Sequence, residues 1–181
     1  MNSEKKILED VEEKLKSQVD DMAGGILEAY IYSLKSIREL GNLVIKTHSN
    51  LEAELEEIIV AHLEGWEGRV NVATWAHAFL KYYPLLKTMY FTNKLNACQD
   101  YGYVSKNKKD KLRSLLSEIN EIRNRFAHYQ SYRYMLEKEY EKPQARIKLL
   151  KKLKATMELL KIKKNQMYLQ SLPHQALDKK N

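Results

Sequence analysis

The run RNRFAH, at residues 123–128, contains three polar side chains whose types and spacing could form a chemical site: Arg123, Asn124 and His128. Asn124 and His128 are four residues apart, so on a helix they would be neighbours on one face. The amide of Asn124 could then hold one ring nitrogen of the imidazole and fix its tautomer, and an imidazole exchanges protons near neutral pH. The alternative is that these side chains are solvated near the end of a helix, where cationic groups often bind the last carbonyls.

A stripe of apolar residues runs through the segment that carries these side chains. Its spacing of three and four predicts a helix buried on one face, with the members Leu112, Leu115, Ile119, Ile122 and Phe126. At about 100° per residue, Arg123 falls roughly 40° from Ile119, at the edge of the stripe, where charged residues seldom lie without a partner or a task. Arg123 and His128 diverge by roughly 140°, so one straight helix cannot easily aim both at a single phosphate. For the two to cooperate, the helix must bend, or a second copy of the motif must meet the first across a dimer interface.

The composition of the 181-residue chain favours a compact, all-α protein. Apolar residues make up 44% of the chain, which has only six glycines and three prolines. No alternating strand pattern bounded by turn residues persists in it. The single cysteine, Cys98, excludes an intrachain disulfide. We predict one helical domain over residues 1–165, followed by a frayed tail at residues 166–181.

Helical spacing predicts the order of the elements. A first amphipathic helix covers roughly residues 3–22 and precedes a Gly-Gly pair. Ser49 and Glu52 could form a capping box that splits the next helix, but an apolar line continues across that point, so we favour one helix from about Leu40 to Leu63. The helix of the RNRFAH run starts near Lys108. A loop is expected over residues 64–71, followed by one helix that starts at Ala73, bends near Pro84 and ends before a C-cap at Gly102. A further break is expected at Pro143, before a basic amphipathic helix over residues 145–165.

Charge and hydropathy restrict the class of protein. The formal net charge of +7 suggests a polyanionic partner, although many soluble proteins carry as much. Residues 1–21 carry seven acids against four lysines, whereas residues 146–164 carry eight bases against Glu158 alone. The N-terminus is charged from its fourth residue, and the uncharged, apolar stretch at residues 70–80 is too short to cross a bilayer. We expect a cytoplasmic protein with no secretory signal and no membrane partner.

Three stretches together resemble the HEPN superfamily. The run EIRNRFAH is similar to the superfamily signature, in which an arginine and a polar residue precede a histidine by a short spacer. The stretches LVIKTHSNLEAELEEIIVAHL and MYFTNKLNACQDYGYVSKNKKDKLRSLLSEINEIRNRFAH resemble the long early helix and the block before the signature. In particular, the chain resembles small stand-alone members that include the mannitol-operon repressor group, over roughly residues 40–130. The resemblance implies an up-and-down helical bundle, here with additional N- and C-terminal helices, that usually forms a homodimer with two signatures facing each other in a cleft.

The resemblance also implies an activity. Active members are metal-independent endoribonucleases that need no cofactor, and in them the 2′-hydroxyl of the RNA attacks the adjacent phosphate. Carried over to this chain, His128 would be the general acid or base, Arg123 would bind the scissile phosphate, and Asn124 would orient the histidine or the phosphate. Such a protein would be a toxin or phage-defence effector, with an antitoxin or regulatory protein as a possible partner. Other members act only as regulators or adaptors that bind protein or nucleic acid, and this stays the alternative function.

A toxin branch of the superfamily carries a tyrosine two residues after the histidine, where a partner enzyme can modify it. This chain has Gln130 at that position and Tyr129 one residue earlier, which argues against that mode of control.

Six further residues are weaker candidates for RNA binding, because aromatic rings stack on bases and cations bind phosphates. They are Arg125, Tyr129, Tyr132, Arg133, Lys151 and Lys152. The alternatives are that some of the tyrosines pack in the core and that the lysines form a solvated helix face.

The histidines His48, His62 and His77 do not have the spacing of a metal site. We expect His48 and His62, which lie on the apolar line of their helix, to be satisfied or half-buried histidines, and we predict no metal site.

Overall fold

A computed structural model describes residues 35–66, 71–107 and 110–170 of the chain, with side chains up to residue 166. These residues form helices and connecting loops, and no strand is found among them, which confirms the all-α prediction. The helices are α1 (Ile37–Leu63), α2 (Val72–Thr88), α3 (Phe91–Asp100), α4 (Lys111–Ala127), α5 (Tyr129–Glu139) and α6 (Pro143–Gln170). Within this part of the chain, no helix is both long and apolar enough to span a bilayer. The helix predicted for residues 3–22 lies outside the described residues.

Helix α1 is continuous across Ser49 and Glu52, as the uninterrupted apolar line predicts. The next region differs from the prediction of one bent helix. Helix α2 runs through Pro84 to Thr88, and the chain then takes an extended backbone at Met89 and Tyr90 before α3 begins. Helix α3 was not predicted as a separate helix because no glycine or proline marks the break at Met89 and Tyr90.

The starts of α4 and α6 also differ from the predicted positions. Helix α4 begins at Lys111 rather than Lys108 because the carboxylate of Asp110 caps it, accepting a 3.0 Å hydrogen bond from the amide of Arg113. Helix α6 begins at Pro143 itself, since proline is well suited to the first position of a helix. The same helix continues to Gln170, into the segment predicted to be a frayed tail; residues 171–181 lie outside the described part.

The chain divides into two compact units. The first contains the described residues up to His48 together with Glu118–Ala155, and the second contains Ser49–Ser117 together with the described residues from Thr156 onward. Helices α1, α4 and α6 therefore contribute residues to both units. The predicted single domain also covers residues outside the described part, and it stays a prediction.

The first unit has a core of apolar side chains from four helices. Its buried members are Leu40, Leu43, Val44, Ile119, Ile122, Phe126, Leu136, Tyr140, Leu149, Leu150 and Leu153. The rings of Phe126 and Tyr140 stack with their centroids 5.8 Å apart. Gly41 lies directly against Phe126, since a Cβ atom at position 41 would be 2.7 Å from Cδ1 of the phenyl ring. The close contact between α1 and α4 therefore requires glycine at this point.

The second unit buries an ion-pair cluster beside its apolar core. The ammonium of Lys94 on α3 binds the carboxylates of Glu52 and Glu56 on α1, at 2.6 Å and 2.5 Å. At the end of α3, Gly102 adopts a positive φ of 82°, and the amides of Gly102 and Tyr103 bind the carbonyls of Gln99 and Cys98. This is a Schellman cap, as the glycine predicted.

One member of the predicted stripe on α4 is wrong. Leu112, Ile119, Ile122 and Phe126 are buried, but Leu115 is only half-buried and its neighbour Leu116 is fully buried instead. Both leucines fit a spacing of three or four from their neighbours, so the pattern alone did not distinguish them.

Candidate functional site

The helix that carries the RNRFAH run is interrupted at His128. Helix α4 ends at Ala127, His128 has a non-helical backbone with φ −104° and ψ 41°, and α5 begins at Tyr129. The backbone of His128 remains bonded on both sides, because its amide binds the carbonyl of Asn124 at 3.1 Å and its carbonyl accepts the amide of Ser131 at 2.9 Å. Helical geometry is therefore lost at the histidine itself, directly after the helix that carries Arg123 and Asn124.

Arg123 is half-buried at the edge of the apolar face of α4, in agreement with its place on the helical wheel. Its Nη1 donates a 3.0 Å hydrogen bond to Oδ1 of Asn124. Its Nε is buried and has no hydrogen-bond partner among the described residues. A buried donor without a partner costs roughly 1–3 kcal/mol, so such groups are rare and often mark a functional position.

His128 and Asn124 both have exposed side chains. Within the described part of the chain, the imidazole of His128 makes no hydrogen bond to Arg123 or to Asn124. The amide oxygen of Asn124 is used by Arg123 and not by the histidine. The structure thus pairs Arg123 with Asn124 and presents His128 separately, at the start of α5.

Four of the six weaker RNA-binding candidates contact carboxylates. Arg125 binds Glu139 at 2.5 Å, Lys152 binds Glu118, and Glu137 accepts hydrogen bonds from Nε of Arg133 at 2.8 Å and from the phenol of Tyr129 at 3.0 Å. The hydrogen bonds from Arg133 and Tyr129 lower the pKa of Glu137, so it is ionised at neutral pH. The remaining candidates, Tyr132 and Lys151, have exposed side chains.

An open groove of about 430 Å³ lies beside the interruption. It is lined by Arg38, Gly41, Asn42 and Ile45 of α1, by Phe126 of α4, and by Tyr129 and Gln130 of α5. We call it the signature groove, because three of its residues belong to the signature or directly follow it. All of its lining residues belong to the first unit.

Sequence reasoning missed all four groove residues of α1, of which the polar ones are Arg38 and Asn42. They are four residues apart, so both lie on one face of α1, and this spacing was the available signal. It was not sufficient on its own, since only the fold brings this face of α1 next to the residue after His128. Gln130 was noted in the sequence only as a departure from the tyrosine of related toxins.

The other histidines are placed as follows. His48 is 2% exposed, and its Nε2 lies 3.0 Å from Oδ1 of Asn120, which confirms that it is a satisfied histidine. His62 is exposed and stacks on the ring of Tyr101 at 3.8 Å. Among the described residues, no group of three or more His, Cys, Asp or Glu side chains has an arrangement that could hold a metal ion.

Comparisons of this chain with models of known protein families, with curated proteins and with solved structures give no match.

Proposed function

We propose that the protein is a metal-independent endoribonuclease, with Arg123 and His128 as its catalytic residues and Asn124 as a positioning residue. The observation that carries this proposal is the interruption of the helix at His128, one turn after an arginine whose Nε is buried without a partner. An exposed imidazole at a backbone break is accessible to a substrate, and the guanidinium of Arg123 is suited to a phosphate.

The reaction uses groups that the chain and the RNA supply. The 2′-hydroxyl loses its proton to a base and its oxygen attacks the adjacent phosphorus, while the bond from phosphorus to the 5′-oxygen breaks and an acid protonates that oxygen. The products are a 2′,3′-cyclic phosphate and a 5′-hydroxyl, and no water is consumed. His128 is the base or the acid, since an imidazole carries either role near neutral pH.

Arg123 has a separate role in this proposal. Its guanidinium binds the phosphate and stabilises the charge that develops on the non-bridging oxygens. Asn124 holds Nη1 of Arg123, so it acts on the phosphate through the arginine, as a positioning residue.

We further propose that two copies of the chain form the complete site. Within one chain Arg123 is paired with Asn124 and His128 is presented separately, and a second copy facing the first would bring the arginine of one chain to the histidine of the other. Helix α5, which follows His128, supports this proposal with apolar surface that is suited to such an interface. Tyr134 is 78% exposed on it, and Tyr132 and Met135 are also exposed.

Cleavage of a labelled RNA in the presence of EDTA, followed by identification of the product ends, tests this proposal. We expect cleavage that persists in EDTA and leaves cyclic phosphate and 5′-hydroxyl ends. Products with a 5′-phosphate, or no cleavage of any cellular RNA by the purified protein, would overturn it. Growth arrest on expression of the wild type but not of His128→Ala is the outcome expected for a toxin or phage-defence effector.

A non-catalytic regulator or adaptor is the second candidate. Its support is the apolar surface along α2 and the segment after it, where Val72, Leu80, Leu85 and Tyr90 are exposed. Exposed apolar groups of this kind are typical of surfaces that bind another protein. A cellular effect that Leu80→Ser and Leu85→Ser remove, and that His128→Ala leaves intact, would favour this function over the ribonuclease.

A further inference from the structure

The floor of the signature groove is apolar and is set by one close contact. Phe126 is 5% exposed and lies against Gly41, where any Cβ atom would approach the phenyl ring to 2.7 Å. Ile45 continues this floor along α1, and the ring of Tyr129 forms part of the wall. Aromatic and aliphatic surfaces of this kind stack on planar ring systems.

The rim of the groove is polar and carries hydrogen-bonding groups of a particular type. Asn42 on α1 and Gln130 on α5 are both exposed, and each amide offers a donor beside an acceptor. Asn42 makes one long hydrogen bond, 3.4 Å, to Glu39. The phenol of Tyr129 is bound to Glu137, so this residue contributes its ring rather than its hydroxyl to the groove.

The charge of the rim is positive. Arg38 is exposed, and within the described part of the chain no carboxylate forms an ion pair with it. The groove therefore combines an apolar floor with a rim of two amides and one guanidinium. These groups match a ligand that has a planar ring, a hydrogen-bonding edge and a phosphate nearby. The groove volume, about 430 Å³, is within the range of about 300–1,000 Å³ that ligand pockets usually have.

From these features we infer that the signature groove binds one nucleobase of the RNA and sets the base preference of the protein. This inference rests on the proposed ribonuclease function and adds to it a subsite next to the reacting phosphate. Two residues that line the groove, Tyr129 and Gln130, follow His128 in the chain. Asn42 and Gln130 read the edge of the base, Phe126 and Tyr129 contact its ring, and Arg38 binds the neighbouring phosphate.

Binding is measured separately from cleavage, on proteins that carry His128→Ala. Fluorescein-labelled RNA hexamers of A, of C, of U and of alternating A and G are titrated while their anisotropy is followed. Asn42→Ala and Gln130→Ala are compared with the matched controls Asn50→Ala and Gln144→Ala, which remove the same exposed amides at helical positions outside the groove. Circular dichroism checks that each variant is folded.

We expect one hexamer to bind about tenfold or more tightly than the weakest, and each groove variant to reduce this preference to about twofold. The two control variants, Asn50→Ala and Gln144→Ala, should keep the base preference of the parent protein. Arg38→Ala should weaken binding of all four hexamers to a similar extent, because a phosphate contact carries no base information.

The outcomes separate the inference from the proposed function. A wild type that cleaves RNA, with groove variants whose base preference is unchanged, overturns the inference and leaves the ribonuclease standing. Groove-dependent base preference in a protein that never cleaves RNA supports the base site and overturns the ribonuclease. Equal binding of all hexamers by the parent protein overturns the inference whether or not cleavage occurs.

Discussion

Arg123 and Asn124, adjacent in sequence, are joined by a 3.0 Å hydrogen bond from Nη1 of the arginine to Oδ1 of the asparagine. Neighbouring residues on a helix normally point about 100° apart. The bond therefore draws the guanidinium toward the asparagine at the edge of the buried face, while Nε stays buried and unpaired. In the proposed reaction this pair presents the phosphate-binding group, and His128 supplies the proton transfer.

Replacement of Arg123 should reduce cleavage far more than it weakens RNA binding. We expect Arg123→Ala to lower kcat by about 10²–10³-fold, because the guanidinium stabilises charge that appears only in the transition state. Arg123→Lys should restore only part of the rate, since an ammonium lacks the planar fork of donors. Single-turnover cleavage rates and anisotropy-based Kd values measure the two effects. Arg113→Ala, on the same helix, is the matched control, and a rate loss equal to that of Arg123→Ala would argue against a catalytic role.

A mixture of two inactive variants tests the composite site. In a heterodimer of the two variants, the Arg123→Ala chain still supplies His128 and the His128→Ala chain still supplies Arg123. If each site takes its arginine from one copy and its histidine from the other, one of the two sites in this heterodimer is intact. We expect the mixture, after exchange of subunits, to regain up to about a quarter of wild-type activity, since half of the dimers are mixed and each has one working site. A mixture as inactive as its components would show that the arginine and the histidine of each site belong to the same copy.

Gly41→Ala should destabilise the protein although alanine favours helices. The replacement gains about 1 kcal/mol of helix propensity, but the new Cβ atom meets the Phe126 ring at 2.7 Å, and overpacking costs about 1–3 kcal/mol. We expect a net loss of about 1 kcal/mol in the free energy of unfolding, measured with urea. In a Phe126→Leu background the same change should become neutral or stabilising, and a stabilised single variant Gly41→Ala would contradict the observed packing.

The Lys94 cluster should make stability fall at alkaline pH. Burial alone would lower the pKa of Lys94, but its hydrogen bonds to Glu52 and Glu56 outweigh burial, and the pKa is raised. Because the pKa of Lys94 is higher in the folded state, the cluster stabilises the protein fully at pH values below the unfolded-state pKa of about 10.4. This stabilisation is lost as the pH rises through the folded-state pKa. Urea unfolding of wild type and Lys94→Met should therefore differ by about 3 kcal/mol at neutral pH, and the difference should shrink as the pH rises above about 10.4. A difference that stays constant over this range would contradict the prediction, and the exposed Lys87→Met is the control.

The sequence predicted the helices well where apolar spacing was the deciding factor. The continuous α1 and the buried His48 follow from one stripe that no break interrupts. The break at Met89 was missed because no residue there has a strong backbone preference, and the capping carboxylate of Asp110 moved the start of α4 by three residues. For the candidate site, the wheel placed Arg123 correctly at the edge of the core, but spacing did not predict its hydrogen bond to Asn124. The signature groove depends on packing between helices, which spacing within one helix does not determine.

The most direct test of the account compares single-turnover cleavage of a labelled RNA by the wild type, by His128→Ala and by His77→Ala, all in EDTA. His77 is an exposed histidine of α2, far from the signature in sequence, so its replacement controls for the loss of an imidazole. We predict that His128→Ala lowers the rate by about 10²–10⁴-fold, while its circular dichroism is unchanged and His77→Ala cleaves like the wild type. Cleavage by folded His128→Ala at the wild-type rate would contradict the account.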